Sequence, residues 1–437
     1  MEKIIVHGGQ PLRGTLRVQG SKNASLPILA ACVLSDGVCV IENCPDLSDV
    51  RAAVRILEHL GCTVSRAGNQ LTVDSRRVSC YTIPDALMHE MRSSIVFLGS
   101  VLARTGKAVL CAPGGCEIGL RPIDLHLSAL RALGAVIAEE HGTLRCEAPK
   151  KLQGTVISLS FPSVGATENV LLAAATATGT TMLLNAAREP EIEDLVRFLN
   201  ACGADIETTG EGTLVIRGVG RLHGCRHRVI PDRIAALSFM AAVGAAGGDV
   251  VLEDVRTKHI LSVNRVFEQA GCRLETDEHT LRIRADGRLR AVQDIRTLPH
   301  PGFPTDAQAA VMAMLCTAKG TSVIVETIFE NRFHHVHALC RMGAHIRIEG
   351  RVAIIDGVQK LHGAAVSAVD LRAGAALIIA SLGAQGTSII TGLHHIDRGY
   401  EKIEACLQTL GAQIERSAES GRQQSKQNQP VRRLPLR

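Results

Sequence analysis

The amino-acid sequence predicts an α/β protein of two inside-out α/β domains, each of three repeated units with buried helices and outer sheets, six units in total. Three observations lead to this prediction: a tripeptide that recurs along the whole chain, an almost wholly apolar helix in each interval, and a pair of short strands after each tripeptide. A chain of 437 residues is also too long for one compact core, so two domains are the ordinary expectation.

The recurring tripeptide is an apolar residue or Cys, then Gly, then Ala or Cys. Its glycines are Gly61, Gly134, Gly203, Gly271, Gly343 and Gly411, which are 68 to 73 residues apart. Each glycine stands where a helix needs a left-handed C-terminal cap. A strand, a turn and a second strand follow, as at 205–208 and 213–217. The unit therefore reads helix, strand, helix, glycine, strand, turn, strand.

The first helix of each unit is apolar on every side, and such a helix must be buried. These helices are expected at 28–34, 95–102, 170–177, 234–243, 309–315 and 375–382. Three of them can pack together inside each domain, with strands outside. We expect the first domain, which carries a Cys-containing loop, at 22–229. The second is expected at 1–21 and 230–416, with the first strand (3–6) joining it.

The last segment, 417–437, is expected to be a disordered basic tail. It carries five Arg or Lys residues against Glu419, a net charge of +4, whereas the whole chain carries +5. The body is therefore nearly neutral, which argues against a nucleic-acid-binding face. Aromatic residues are also scarce, with no Trp, two Tyr and eight Phe, so bases have few platforms for stacking. A role of the tail at RNA or a membrane surface is left open.

Fourteen cysteines without paired spacing do not form a disulfide framework. The first residues show no signal-peptide pattern, and no window approaches 18 uninterrupted apolar residues. We therefore expect a cytoplasmic protein with reduced thiols, no membrane contact and no nucleic-acid partner. The histidines, including the pairs at 334–335 and 394–395, have no spacing with Cys that fits a zinc site, so no metal is expected.

The segment Gly20-Ser21-Lys22-Asn23-Ala24 comes directly before a predicted buried helix. A glycine–serine turn at a helix N-terminus offers free backbone N–H groups to an anion. The alternative is that Ser21 merely caps the helix and Lys22 is a solvated residue of its first turn. However, a lysine there opposes the helix dipole unless an anion compensates, so the segment favours an anion site.

A second segment, 113–125, has three glycines near its start and reads as an exposed loop. Cys116 lies in it, five residues before Arg121, where a thiolate is favoured. An exposed cysteine that serves no purpose is a liability, so we expect a function for Cys116. Arg121 precedes Pro122 and reads as an extended arm before a helix; it could equally be a plain surface residue.

Two further helix starts carry polar residues. Thr305 or Asp306 precedes one apolar helix and has the pattern of an N-cap, although Asp306 could instead serve as a general base facing a cleft. Ser163 occupies the equivalent position in the first half, with the same two interpretations. The sequence alone does not choose between them.

Three arginines recur at element ends in the second half: Arg332, Arg372 and Arg398. Arginine is suited to bidentate binding of carboxylate and phosphate. A single Arg beside an acid, as at Asp370 and Arg372, is usually a solvated ion pair. Three in corresponding places favour a binding site.

These residues and motifs resemble the enolpyruvyl transferase family, and in particular its UDP-N-acetylglucosamine 1-carboxyvinyltransferases. The resemblance covers residues 1 to about 415 and rests on specific motifs: Gly-Ser-Lys-Asn-Ala, Pro-Gly-Gly-Cys, Arg-Pro-Ile-Asp-Leu, Pro-Thr-Asp and the three arginines. It implies two inside-out domains of three units each. It also implies transfer of the enolpyruvyl group of phosphoenolpyruvate to the 3-hydroxyl of UDP-N-acetylglucosamine, the first committed step of peptidoglycan precursor synthesis, without a cofactor.

The resemblance further implies roles for individual residues. The catalytic group comprises Lys22, Cys116, Asp306 and Arg398, with Asp306 taking the hydroxyl proton and Cys116 donating a proton. The substrate-binding residues are Lys22, Asn23, Arg92, Arg121, Pro122, Ile123, Asp124, Leu125, Ser163, Val164, Gly165, Asp306, Ile328, Arg332, Asp370, Arg372 and Arg398. The protein is expected to be a monomer whose partners are these two small molecules.

Two other functions are consistent with parts of the pattern. The shikimate-pathway enolpyruvyl transferase shares the fold and uses phosphoenolpyruvate, but it lacks the glycine loop with Cys116. A non-catalytic scaffold or an RNA-binding relative would be expected to lose Lys22, Asp306 or the arginines, and all of these are present.

Overall fold

The computed structural model describes residues 2–91, 93–111 and 123–418. Within these ranges the chain forms the following helices: α1 Lys22–Cys32, α2 Ser48–His59, α3 Asp85–Glu90, α4 Phe97–Thr105, α5 Asp124–Ala132, α6 Val164–Ala174, α7 Pro190–Ala201, α8 Arg233–Ala246, α9 Leu261–Ala270, α10 Thr305–Leu315, α11 Val336–Arg341, α12 Leu371–Gly383, α13 Leu393–Ile396 and α14 Ile403–Thr409. Two 3₁₀ turns add to them, at Ser94–Val96 and Thr257–His259.

The strands of the same ranges are β1 Glu2–His7, β2 Leu12–Arg17, β3 Val38–Glu42, β4 Thr63–Ala67, β5 Gln70–Asp74, β6 Thr82–Ile83, β7 Lys107–Cys111, β8 Val136–Glu140, β9 Thr143–Glu147, β10 Val156–Ser158, β11 Thr180–Leu184, β12 Asp205–Thr209, β13 Thr213–Arg217, β14 Arg226–Arg228, β15 Gly248–Glu253, β16 Arg273–Thr276, β17 Thr280–Ala285, β18 Ile295–Arg296, β19 Thr321–Val325, β20 His345–Glu349, β21 Val352–Asp356, β22 Ala365–Ser367, β23 Thr387–Thr391 and β24 Gln413–Ala418.

These strands form six four-stranded sheets, which confirms the prediction of six α/β units. In the third unit the order is β10-β11-β13-β12, with β10 parallel to β11 and the other pairs antiparallel. The first strand of the unit is not predicted from the sequence. It is only two or three residues long in most units, too short to show the alternation that identifies a strand.

One helix of each unit is buried, namely α1, α4, α6, α8, α10 and α12. In the second half α8, α10 and α12 all pack against one another, and in the first half α4 packs against both α1 and α6. Most of these helices begin before the apolar run that predicted them, because their first turn carries polar residues. The second helix of each unit is amphipathic and ends at a repeat glycine with a positive φ, between 87° and 104°, as predicted.

Two units take their first strand from a distant part of the chain. The first unit receives β14 as its edge strand, and the fourth unit receives β2, each paired in parallel. The N-terminal strand β1 completes the last sheet by pairing antiparallel with both β23 and β24. Backbone pairing therefore closes each set of three units, because β14 links the third unit to the first, and the segment with β1 and β2 links the sixth unit to the fourth.

The two connections between the halves run side by side. Ser21 N donates to Ile230 O at 2.8 Å, and Asp232 N donates to Gln19 O at 2.8 Å. Gly20 lies between them, where an added Cβ would be 1.7 Å from the carbonyl oxygen of Asn43, so only glycine fits. This crossing delivers Lys22 to the start of α1 in a fixed position.

The apolar core consists of two clusters. One contains residues between Ala24 and Ile230, and the other contains residues of 4–18 and 234–414. We propose that they are the cores of two domains, 22–229 and 1–21 with 230–416. In the part of the chain that the structure describes, no helix is both long and apolar enough to cross a bilayer.

The expected start of the tail at residue 417 needs a correction. Strand β24 continues through Ala418, because Ser417 and Ala418 pair with Lys3 and Glu2 of β1. The length of an edge strand depends on pairing with its neighbour and not on local composition. The last two residues of β24 therefore look like part of the polar tail in the sequence. Residues 419–437 lie outside the described ranges.

Candidate active site

A cavity of about 650 Å³ is lined by residues from both halves of the chain. It brings together every predicted site residue that the structure describes: Lys22, Asn23, Ile123, Asp124, Leu125, Ser163, Val164, Gly165, Asp306, Ile328, Arg332, Asp370, Arg372 and Arg398. Four other predicted residues, Arg92, Cys116, Arg121 and Pro122, lie outside the described ranges.

Lys22 and Arg398 meet at a carboxylate that the sequence analysis did not identify. Asp49 on α2 is 1 % exposed; it accepts from Lys22 Nζ at 3.0 Å and from Arg398 Nε and Nη2 at 2.8 and 3.2 Å. Burial acts to raise the pKa of Asp49, but Lys22 and Arg398 outweigh it and hold that pKa below its usual value. Two cations from opposite halves of the chain are thus close enough to bind one anion.

Burial lowers the pKa of the Lys22 ammonium below its ordinary value, and Asp49 offsets only part of that effect. Ser21 caps α1, accepting from Ala24 N at 3.2 Å, as one interpretation predicted. Lys22 is buried and is not the solvated residue of the alternative. A bound anion offsets both the free-energy cost of burying the Lys22 charge and the unfavourable interaction of that charge with the helix dipole.

A second pair of cations surrounds Asp306. Arg332 Nη2 donates to Asp306 Oδ1 at 2.7 Å, and Arg372 Nη2 donates to Asp306 Oδ2 at 2.8 Å. Arg372 is held from the other side by the hydroxyl of Tyr400, at 3.2 Å from Nη1. Burial alone would raise the pKa of Asp306, but Arg372 and Arg332 outweigh it and hold the pKa well below its usual range.

The N-cap interpretation of Thr305 and Asp306 is wrong. Pro304 is the N-cap of α10, and it provides no side-chain hydrogen bond. The hydroxyl of Thr305 instead donates to Glu326 Oε2 at 2.9 Å. Within the described ranges no backbone N–H donates to the carboxylate of Asp306, so its two oxygens face the arginines and the cavity.

Ser163 and Asp370, in contrast, do cap their helices. Ser163 accepts from Ala166 N at 3.4 Å at the start of α6. Asp370 accepts from the backbone N–H groups of Arg372 and Ala373 at 2.8 and 2.9 Å, at the start of α12. Asp370 therefore fixes the first turn from which the Arg372 side chain reaches Asp306.

Ile328 is placed by a buried acid that sequence reasoning also missed. Glu326, 1 % exposed, accepts from Ile328 N at 2.8 Å and Phe329 N at 3.2 Å. It also accepts from the hydroxyls of Thr297 and Thr305, both at 2.9 Å. One carboxylate thus joins the loop before α11 to the start of α10.

The cavity also has an acidic region that the sequence analysis did not identify. Glu191 forms a buried ion pair with Arg233, with its Oε1 3.0 Å from Arg233 Nε. Burial, with the charges of Glu191 and Glu189, raises the pKa of the nearby Glu168 to about 8. All of these side chains line the cavity. In the sequence they look like ordinary helix residues, because only the tertiary fold places them together.

The arrangement is suited to an anionic ligand with more than one charged group. Two carboxylates, Asp49 and Asp306, each hold two cations in a protein interior where a bound anion would interact strongly with them. Ile328, Phe329 and the exposed ring of Phe161 supply an apolar wall for a larger ligand. The cavity can thus hold a small polyanion beside a larger polar molecule.

Comparison with protein-family models and curated proteins gives consistent results. The family model of EPSP synthase (3-phosphoshikimate 1-carboxyvinyltransferase) matches residues 6–407. The chain is 49% identical over 416 residues to UDP-N-acetylglucosamine 1-carboxyvinyltransferase 2 of Caldanaerobacter subterraneus subsp. tengcongensis, covering 95% of this chain and 100% of that protein. It is 48% identical to UDP-N-acetylglucosamine 1-carboxyvinyltransferase of Anaeromyxobacter dehalogenans, covering 95% and 99% of the two chains.

Solved structures are similar over the whole chain. The enolpyruvyl transferase NikO from Streptomyces tendae has a TM-score of 0.87 and 26% identity, and the match covers 95% of this chain and 99% of that one. EPSP synthase from Acinetobacter baumannii has a TM-score of 0.76 with 20% identity, covering 96% and 100%; this likeness shows the fold alone.

Proposed function

The chain belongs to the UDP-N-acetylglucosamine 1-carboxyvinyltransferases of the enolpyruvyl transferase family, and on that premise we propose that it transfers the enolpyruvyl group of phosphoenolpyruvate to the 3-hydroxyl of UDP-N-acetylglucosamine. The reaction is an addition followed by an elimination. The sugar hydroxyl adds to C2 of phosphoenolpyruvate while C3 is protonated; phosphate then leaves from the tetrahedral intermediate as C3 loses a proton, which restores the double bond. The product belongs to peptidoglycan precursor synthesis.

The observation that carries this proposal is the convergence of Lys22 and Arg398 on one buried carboxylate. A ligand that bears both phosphate and carboxylate can replace the carboxylate of Asp49 as the partner of Lys22 and Arg398, and can bind both cations at once. Such clamps stabilise the charge of a phosphate leaving group in a site from which water is excluded. Arg121, the first residue of the Arg-Pro-Ile-Asp-Leu motif, is proposed as the third cation that binds phosphoenolpyruvate.

Asp306 is proposed as the base that accepts the proton of the sugar hydroxyl. An acid held by two guanidinium groups is a weak base, so the substrate anions must first draw Arg332 and Arg372 away from it. Binding of both substrates therefore frees the carboxylate of Asp306 to act as a base. Because the base is available only when both substrates are bound, the reactive intermediate is protected from water. Cys116 is proposed as the acid that protonates C3.

The UDP-sugar is proposed to lie along the wall formed by the starts of α1, α5 and α6. Asn23, Arg92, Arg121, Pro122, Ile123, Asp124, Leu125, Ser163, Val164 and Gly165 are the residues proposed to contact it, together with Ile328. Gly165 packs so closely that an added Cβ would be 2.8 Å from Cε1 of His126. A side chain at residue 165 would therefore displace His126 or narrow the cavity.

A phosphate-release assay tests the proposed reaction. With phosphoenolpyruvate present, we expect release of inorganic phosphate when UDP-N-acetylglucosamine is added, and no release above background with shikimate 3-phosphate. Release with shikimate 3-phosphate instead would overturn the choice of acceptor. Release with neither would overturn the assignment of the enolpyruvyl transfer itself.

The proposed role of Cys116 leads to a covalent prediction. An epoxide phosphonate that mimics phosphoenolpyruvate, such as fosfomycin, is expected to alkylate the Cys116 thiol and add its mass once to the intact chain. Adding UDP-N-acetylglucosamine should speed the reaction, because the sugar completes the site. Cys340, an exposed thiol far along the chain, serves as the control: a Cys340→Ser variant should still gain one adduct, whereas Cys116→Ser should gain none.

The enzyme class implies small-molecule substrates. We propose that the protein acts as a monomer in the cytoplasm. The cysteines of the described ranges are all free thiols, which is the usual condition in a reducing compartment.

A further inference from the structure

Three potential metal ligands come together outside the cavity, on α3 and the end of β7. Asp85, His89 and Cys111 each offer one donor atom, and these atoms all lie within 4.8 Å of one another. Asp85 and His89 are one helical turn apart, so both side chains project from the same face of α3. Cys111 is the last residue of β7, against which α3 packs. None of the three lines the cavity.

The three groups already interact with one another. His89 Nε2 lies 3.1 Å from Asp85 Oδ1. A hydrogen bond from the Cys111 thiol to Asp85, with some burial, raises the pKa of that thiol to about 11. The neighbouring acid Glu90 is held by Arg55, with Glu90 Oε2 2.8 Å from Arg55 Nε, and is thus engaged elsewhere. A cation between the three donors would replace the hydrogen bonds that now join them.

The site is open to solvent. The side chains of His89 and Asp85 are 58% and 66% exposed, so a cation can arrive without any opening of the fold. Ligand atoms of a tetrahedral zinc ion are roughly 3.3–3.8 Å apart, given the usual bond lengths. His89 Nε2 and Asp85 Oδ1 already lie closer than this, and no pair of donor atoms is more than 4.8 Å apart. The most widely separated pair therefore needs to approach by at most about 1.5 Å, which rotation of exposed side chains provides.

The mixture of donors selects the kind of metal. Calcium and magnesium take oxygen ligands, whereas an imidazole, a thiolate and one carboxylate suit Zn²⁺. Three protein ligands leave a fourth tetrahedral position for water. We propose that Asp85, His89 and Cys111 form a Zn²⁺-binding site outside the active-site cavity. Binding forms the bond between zinc and the Cys111 sulfur and releases the thiol proton to solvent.

The test measures metal binding to the untagged full-length chain. Zn²⁺ is titrated in competition with a chromophoric chelator, and Co²⁺ is used as a spectroscopic probe because a thiolate ligand adds a charge-transfer band. We expect one Zn²⁺ per chain and a cobalt–thiolate band. Cys111→Ser should abolish the band. Cys111→Ser and His89→Gln should each weaken Zn²⁺ binding by more than about 100-fold. This loss is larger than the one expected when a residue that only hydrogen-bonds to a metal ligand is removed.

Two control variants test whether another histidine or another thiol accounts for the metal binding. His59→Gln changes another exposed histidine, whose Nε2 lies 3.7 Å from the sulfur of Cys80, and it should leave Zn²⁺ binding unchanged. Cys116→Ser removes the thiol of the proposed acid and should also leave the band in place. The proposal is overturned if the wild-type chain binds neither ion, if Cys111→Ser binds Zn²⁺ as tightly as the wild type, or if Cys116→Ser abolishes the cobalt–thiolate band. Circular dichroism of each variant verifies that the fold is retained.

Discussion

Replacement of Asp306 by Asn is expected to lower kcat by roughly 10²–10⁴-fold, the usual contribution of a positioned general base. The amide keeps the shape of the side chain and one acceptor for Arg332 or Arg372, but it cannot take up the proton of the sugar hydroxyl. The KM for UDP-N-acetylglucosamine should change much less, because most of the proposed sugar contacts come from α1, α5 and α6. Steady-state phosphate release, with each substrate varied in turn, measures both constants.

The same variant separates a base from a residue that only positions the arginines. A positioning role predicts that Asp306→Asn raises the KM for phosphoenolpyruvate and leaves kcat nearly intact, since the guanidinium groups would be misplaced but the chemistry would continue. Partial recovery of kcat in Asp306→Glu would support the base, because a carboxylate is restored. A loss of kcat smaller than about tenfold in Asp306→Asn would remove Asp306 from the proposed role.

Replacement of Asp49 by Asn is expected to destabilise the protein by about 3–5 kcal/mol, the usual result of removing one member of a buried ion pair. Lys22 and Arg398 would then be buried as neighbouring like charges without a full counter-charge. Inorganic phosphate or phosphoenolpyruvate should restore more of the melting temperature in Asp49→Asn than in the wild type, because the anion replaces the lost carboxylate. Thermal unfolding with and without phosphate measures this effect.

Asp46 provides the matched control for Asp49. It precedes α2 and forms an exposed ion pair with Arg51 at 2.6 Å, in which the two side chains are 37% and 59% exposed. An exposed pair contributes only about 0–1 kcal/mol, so Asp46→Asn should change the stability little and show no added response to phosphate. Equal losses in the two variants would contradict the importance of the Lys22–Asp49–Arg398 arrangement.

The effect of Asp49 should also depend on pH in a defined direction. Its pKa in the folded state lies below the usual value of 3.8, so its stabilisation is complete above that value. The stabilisation is lost as the pH falls through the folded-state pKa. The difference in stability between wild type and Asp49→Asn should therefore be constant near neutral pH and shrink only in strong acid.

Local patterns in the sequence determined the architecture and most of the candidate site. The repeat glycines show where amphipathic helices end, since a positive φ strongly favours glycine, and the apolar helices between them must be buried whatever their neighbours. The candidate residues also stand at helix starts and element ends, and the structure brings all of those that it describes around one cavity.

Contacts between distant residues were decided only by the tertiary structure. Asp49 looks like an acid in the first turn of an ordinary helix, and its partner Arg398 is 349 residues away in the chain. The exchange of β2 and β14 between units, and the two residues of β24 mistaken for tail, likewise depend on backbone pairing with a remote strand. A helix or a cap is encoded within a few neighbouring residues, but a buried charge or a strand edge is satisfied by whichever partner the fold brings to it.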